Sequence, residues 1–188
     1  AMASADGPMK GISTLLEAFA KLRTERDVEL LLVTKPKPGG RTEKLIEKLS
    51  IGDSVRFVHG ISDAELVALM GSAEVACVPS FYEGFSLPTA ELMACATPLI
   101  VSRAGAIPEV TGPDGLCADM VTAGDVGELE QALAALLDDL VDALGTPSSP
   151  AGVVVPVLMP SLPLVDRTKA ELARRHGVAM GVAFLLPG

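Results

Sequence analysis

Aromatic side chains are scarce in this chain. Its 188 residues hold no Trp, one Tyr and five Phe, 3% aromatic in all. Proteins that grip single-stranded nucleic acid stack bases on such rings, so a platform of that kind is excluded. Basic residues are also in the minority: 15 Lys and Arg against 24 Asp and Glu leave a net charge of −9. A surface of that sign repels nucleic acid and anionic membranes in bulk, while leaving room for a small basic pocket. Cysteine is limited to Cys77, Cys95 and Cys117. An odd number, each embedded in an apolar run, gives neither a disulfide framework nor a metal-ligand set. They read as small buried hydrophobes of a reducing compartment. No charged start followed by an apolar stretch marks a secretory signal, and no apolar run reaches the length that spans a bilayer. These absences predict a cytoplasmic location.

What is abundant is aliphatic and periodic. Apolar residues make up 49% of the chain. A chain of this length is a prior for one domain with an appendage, and such a domain buries roughly 70% of its unfolded surface. Residues 12–23 carry Ile12, Leu15, Leu16, Phe19 and Leu22 on one helical stripe. Residues 28–34 predict a buried strand, 35–40 a Pro/Gly loop and 41–49 a short helix. Strand 54–59 follows and breaks at Gly60. Ser62 caps the next helix, with Glu65 at the capping-box position. Strands are expected at 74–79 and 99–102, a single helical turn at 107–111, and an extended segment at 115–121. Asp125 caps a helix through Leu144, and Asp138-Asp139 on it read as a solvated face. Strands alternating with helices predict an α/β fold with a parallel sheet and right-handed crossovers. Residues 1–144 form this unit. Residues 145–188 read differently: 145–163 are rich in Pro, Ser and Val without a clear period, 167–175 are compatible with a helix, and 178–186 are apolar.

The chain is organised around residues 78–98, Val-Pro-Ser-Phe-Tyr-Glu-Gly-Phe-Ser-Leu-Pro-Thr-Ala-Glu-Leu-Met-Ala-Cys-Ala-Thr-Pro. This is the end of a buried strand, a tight loop and a helix that starts at once. Ser86 is placed to cap that helix, Pro88 falls in its first turn, and Pro98 lies beyond its end. Glu83 sits in the loop and Glu91 in the second helical turn. Helical side chains lean toward the N-terminus, so Glu91 points back toward the loop that holds Glu83. The amides of Phe85, Ser86 and Leu87 lie between the two carboxylates, at the positive end of the helix dipole. A ligand with phosphate in its middle and hydroxyls at both ends suits such a site. In an open parallel sheet ligands bind beyond the carboxyl ends of the strands. The loops at that edge carry Lys35, His59-Gly60, residues 83–87 and residues 103–109.

Glu83, seven intervening residues and Glu91, set in EGFSLPTAELMACATPLI, resemble the donor-binding motif of retaining glycosyltransferases with the GT-B fold, of the type called glycosyl transferases group 1. The resemblance covers about residues 9–140. It implies the C-terminal, donor-binding domain of such an enzyme: a Rossmann-like parallel sheet with helices on both faces, one half of a GT-B fold. It also implies transfer of a sugar from a nucleotide-diphosphate donor with retention. Glu83 would contact hydroxyls of the donor sugar and support charge at the anomeric carbon. Glu91 would accept hydrogen bonds from the ribose. The segment Gly84, Phe85, Ser86 and Leu87 would hold the distal phosphate through backbone amides. Met9-Lys10-Gly11 resembles the family's Lys-Gly, in which the Lys pairs with the diphosphate. His59, Gly60 and Ile61 would lie near the base. No metal and no cofactor besides the sugar nucleotide is implied.

Several of these residues have plainer readings. Lys10 alone is a solvated residue ahead of a helix, and His59 equally closes a strand. Lys35 and Lys37 lie in a loop open to solvent. Two other functions share the fold: a nucleotide-sugar epimerase and a non-catalytic nucleotide-sugar-binding module. The chain also departs from the family pattern. The family's N-terminal acceptor-binding domain, through which a peripheral membrane acceptor could be reached, is expected to be missing from this stretch. The stretch starts too late to show the family's first strand and the Arg ahead of the Lys-Gly, and Ala96 stands where Gly is usual.

Overall fold

A computed structural model describes residues 7–144 and a strand at Val153–Leu158. The segments 167–175 and 178–186 lie outside the described residues. Six strands form one parallel sheet: β1 Val28–Val33, β2 Val55–Val58, β3 Ala76–Val78, β4 Leu99–Ser102, β5 Asp119–Val121 and β6 Val153–Leu158. Helix α1, Ile12–Leu22, precedes β1. The helices α2 Arg41–Leu49, α3 Asp63–Ser72, α4 Leu87–Ala94, α5 Ile107–Thr111 and α6 Val126–Leu144 follow β1 to β5 in turn. The spatial order is β2-β1-β6-β3-β4-β5.

Both faces of the sheet are covered, which is why its strands read as continuous apolar runs. The period-two geometry of a strand divides them into two cores. Val28, Leu30, Leu32, Cys77, Ile100 and Val121 share one cluster with Leu15, Leu16 and Phe19 of α1 and with Leu129, Leu133 and Leu137 of α6. Val33, Val78 and Val101 share the other with Met70 of α3, Leu92 of α4 and Ile107 of α5. The stripe on α1 is the stripe that is buried: Ile12, Leu15, Leu16, Phe19 and Leu22 are at most 4% exposed.

Two caps form as the side-chain chemistry requires. Ser62 Oγ accepts the Glu65 amide while Glu65 Oε2 accepts the Ser62 amide, a complete capping box. Asp125 Oδ1 accepts the Glu128 amide at 2.9 Å at the start of α6. The expected extended segment at 115–121 is a strand only over β5. Ahead of it the chain turns, and Asp114 Oδ1 accepts the Met120 amide while Oδ2 pairs with Arg103. Those two contacts, the amide bond first, hold the Asp114 carboxyl below its ordinary range. Asp138 is not simply a solvated residue. Its two oxygens accept from Nη1 and Nη2 of Arg26 at 2.6 and 2.7 Å, a forked pair between α6 and the turn after α1. Of the three cysteines only Cys77 is fully buried; Cys95 and Cys117 are half-buried, and all are free thiols. Burial, with the charge of Glu91 one turn earlier on α4, pushes the Cys95 thiol up to about 11.

Helix α4 ends in a Schellman motif. The amide of Ala96 donates to the Met93 carbonyl at 3.0 Å, and that of Thr97 to the Leu92 carbonyl at 3.2 Å. This geometry puts Ala96 at φ +55°, in the left-handed region where a Cβ is penalised. Ala96 is exposed, so a hydrogen in place of its methyl costs no packing. Ala96→Gly is therefore expected to stabilise the protein by about 1 kcal/mol, read as a higher midpoint in urea with an unchanged slope.

The sheet has a seam. β6 runs in register with β1 over six residue pairs, Val28↔Val153 to Val33↔Leu158, but meets β3 at the single pair Cys77↔Val157. It also carries Pro156 in the middle of a central strand, where a ladder N–H is lost. Without β6, β1 and β3 would be facing edges, and the halves of the sheet would be joined through α1, α6 and the Arg26–Asp138 pair. A chain ending at Leu144 is expected to melt at a lower temperature than the full chain. Equal melting curves by circular dichroism would show that β6 adds nothing.

Candidate functional site

The loop after β3 is held from two sides. On one side lies the short 3-10 turn Pro8–Lys10, which leads into α1. The Phe81 amide donates to the Met9 carbonyl at 2.8 Å. Gly11, at φ +65°, packs so closely on Pro79 that a Cβ there would run into the Pro79 carbonyl oxygen. On the other side lies the loop after β4. The Ala106 amide donates to the Glu83 carbonyl at 2.9 Å, and Gly105, at φ +55°, lies flat against the Glu83 backbone where a Cβ would strike it. Two glycines in the left-handed region thus let three loops at the carboxyl edge close on one another.

That closure brings Lys10 to Glu83, 73 residues away in sequence. Lys10 Nζ lies 2.7 Å from Glu83 Oε1, and the same oxygen accepts from Ser80 Oγ at 2.7 Å. The two charged side chains are 16% and 11% exposed, so the pair is largely shielded from water. Attraction between charges strengthens as water is excluded, so the pair is screened less than a surface salt bridge.

Helix α4 starts at the end of the same loop. Ser86 occupies its N-cap position, yet it does not cap in the expected way. Its φ is +64°, and its buried hydroxyl meets Thr89 Oγ1 at 2.7 Å instead of accepting an amide hydrogen. The left-handed backbone turns the Ser86 side chain inward, so the cap is replaced by a hydroxyl pair. A strained residue at a helix start, next to a buried ion pair, is where proteins place binding loops. The first amides of α4 have no partner within the helix. Gly84, Phe85 and Leu87 are exposed around them, with Phe85 58% exposed. Glu91 is half-buried on the second turn of α4, on the side that faces Cys95.

His59 and Gly60 are exposed at the end of β2, and Ile61 is half-buried. They are not part of the Lys10–Glu83 cluster. Three strand spacings, ~14 Å, separate the line of β2 from that of β3. A shallow cleft lined by Pro8, Ile12, Arg41 and Leu45 opens beside the turn that carries Lys10. Lys35 and Lys37 are exposed. Among the described residues no group of three His, Cys, Asp or Glu side chains is arranged to hold a metal ion, and no helix is long and apolar enough to cross a membrane.

Sequence reading missed Ser80, and it placed residues 103–109 at the same edge as residues 83–87 without the contacts of Gly105 and Ala106 to Glu83. A hydroxyl three residues before a loop carboxylate was the available signal for Ser80. Gly105 and Ala106 touch Glu83 only because the strand order places β3 beside β4, which no local pattern reveals.

Comparison with known proteins fits this geometry. Residues 1–143 match the family model described as Glycosyl transferases group 1. The MMP alpha-(1->4)-mannosyltransferase of Mycolicibacterium hassiacum is 63% identical over 138 residues, covering 73% of this chain and 34% of that protein. The O-antigen chain mannosyltransferase B of Escherichia coli is 34% identical over 115 residues, 60% of this chain and 30% of that one. Among solved structures, sucrose-phosphate synthase from Thermosynechococcus elongatus superposes with a TM-score of 0.60 at 35% identity, over 71% of this chain and 34% of its own. A glycosyltransferase from Rickettsia africae gives a TM-score of 0.64 at 23% identity, over 74% and 36%, and attests the fold. The chain thus spans about a third of the length of these relatives. With a Rossmann-like parallel sheet, a Glu83–Glu91 loop and helix at its carboxyl edge, and a family match over residues 1–143, the chain belongs to the glycosyl transferases of group 1.

Proposed function

We propose that this chain is the donor-binding part of a retaining glycosyltransferase that takes a nucleoside-diphosphate hexose. The observation that carries the reading is the Lys10–Glu83 pair, a cation and a carboxylate held together beside a helix N-terminus at the carboxyl edge of the sheet. Breaking a sugar–phosphate bond leaves negative charge on the diphosphate and positive charge at the anomeric carbon. Lys10 and the amides of Phe85, Ser86 and Leu87 face the first; the Glu83 carboxylate faces the second. Fixed charges of this kind, already oriented, lower the barrier without reorganisation and supply the stabilisation that a metal ion would otherwise give. Glu91 accepts from the ribose hydroxyls. The ~14 Å from the β3 line to the β2 line suits a nucleotide reaching from Glu83 toward His59, Gly60 and Ile61. Mannose is the favoured hexose, since the relative at 63% identity is named a mannosyltransferase. The acceptor, free or at a membrane surface, is bound by a domain outside this chain.

The roles of the two carboxylates separate by ligand. Glu91→Ala is expected to weaken a bare nucleoside diphosphate and its hexose ester alike, by roughly the 1.5–3 kcal/mol of a hydrogen bond to a charged group. Glu83→Ala is expected to weaken the hexose ester alone, and to tighten the bare diphosphate by freeing Lys10. Calorimetric titration of the 188-residue chain with nucleoside diphosphates of each common base, and with their hexose esters, checks both. Equal losses in the two variants would refute the division of roles, and no binding to any of these ligands would refute the reading itself.

Holding donor and acceptor in register contributes about 7–11 kcal/mol to such reactions. This chain alone is therefore expected to transfer no sugar to added acceptors. Turnover at ordinary enzyme rates, followed by release of nucleoside diphosphate, would contradict that.

A further inference from the structure

Glu83 Oε1 has two donors of different kinds. Lys10 is carried by the turn before α1, 73 residues from Glu83 in the chain. Ser80 lies three residues before Glu83 in the same loop, is 3% exposed, and reaches the oxygen at 2.7 Å. Ser80 is fixed in place by its neighbours: Pro79 is pinned under Gly11, and the Phe81 amide is bonded to Met9. The two donors therefore respond differently to an anion. A phosphate entering beside Lys10 competes with Glu83 for the ammonium, and a Lys side chain has the rotamer freedom to turn toward it. The Ser80 hydroxyl is local to the loop and has no such alternative.

We propose that Ser80 is a positioning residue that keeps Glu83 aimed when Lys10 turns from the carboxylate to the phosphate of the donor. This rests on the donor-binding reading above and deepens it. Lys10 then links two events: its release from Glu83 accompanies phosphate binding, and the Ser80 bond prevents the released carboxylate from swinging away. The sugar end of the ligand meets a carboxylate already in place.

The test uses Ser80→Ala, with Ser80→Thr as the variant that keeps the hydroxyl, in the full chain. Titration with a nucleoside diphosphate and with its hexose ester gives the preference for the sugar-bearing form. In Ser80→Ala the affinity for the bare diphosphate is expected to stay within about twofold, while the preference for the hexose ester falls about tenfold, the size expected of one hydrogen bond to a charged group. Ser80→Thr is expected to restore most of that preference. Equal loss of both ligands in Ser80→Ala would overturn the proposal, because a merely structural residue would act in that way. A second readout needs no ligand. Melting curves of Ser80→Ala, Glu83→Ala and the double variant are expected to be non-additive, since the hydroxyl acts through the carboxylate. Additive shifts would overturn the proposal whatever binds. Coupled shifts among the variants, together with a wild-type chain that binds no nucleotide, would uphold the Ser80–Glu83 contact and sink the donor reading instead.

Discussion

The arrangement depends on one contact, the ion pair between Lys10 and Glu83. It joins a turn at the start of the described chain to a loop 73 residues later, at the one edge of the sheet where the loops converge. Each charge is mostly out of water, and a lone buried charge of either sign would be costly. The two must therefore be delivered together, and the surrounding backbone is shaped to do it. Gly11 permits the turn to lie on Pro79, Gly105 permits the β4 loop to lie on Glu83, and the Met9 and Glu83 carbonyls close the remaining gaps.

The scaffold makes that delivery possible by tying two halves of a sheet. β1 and β2 lie on one side of the seam and β3, β4 and β5 on the other, with β6 paired strongly to β1 and at one position to β3. Lys10 enters from the α1 side and Glu83 from the β3 side, so any slippage between the halves would separate them. Three features resist slippage. The apolar faces of α1 and α6 share one core across the seam, Arg26 grips Asp138 with two bonds, and the Phe81–Met9 bond closes the carboxyl edge. The first is broad and insensitive to salt, since apolar burial scales with area and has no charge to screen. The second is exposed and weaker for that reason.

Much of the site was legible because its parts are local. The loop and helix over residues 78–98 carry their own punctuation, with Pro88 inside the helix and Pro98 beyond it, and Glu83 and Glu91 fall on them by spacing alone. The bounds of α2, β4 and α5 and the capping box at Ser62 followed from patterns within a dozen residues. The failures were of another kind. Ser86 is chemically a good cap, but the backbone enters α4 at positive φ, and the hydroxyl is turned to Thr89. Asp138 looked solvated because its partner Arg26 lies 112 residues away. No local pattern marked residues 153–158 as a central strand, since Pro156 interrupts what would otherwise read as a run of Val.

The sequence by itself determined the alternation of strands and helices and the family motif, because the first is written in continuous apolar runs and 3.6-residue periods and the second in turn residues at fixed offsets. Only the tertiary structure decided which loops meet. Strand order is not a local property: it set β3 beside β4, so that Gly105 and Ala106 reach Glu83, and it brought the turn before α1 over the end of β3, so that Lys10 does. Which oxygen of Glu83 is held, and by whom, follows from those meetings, since hydrogen bonds act over about 3 Å and no sequence pattern resolves that distance between segments 73 residues apart.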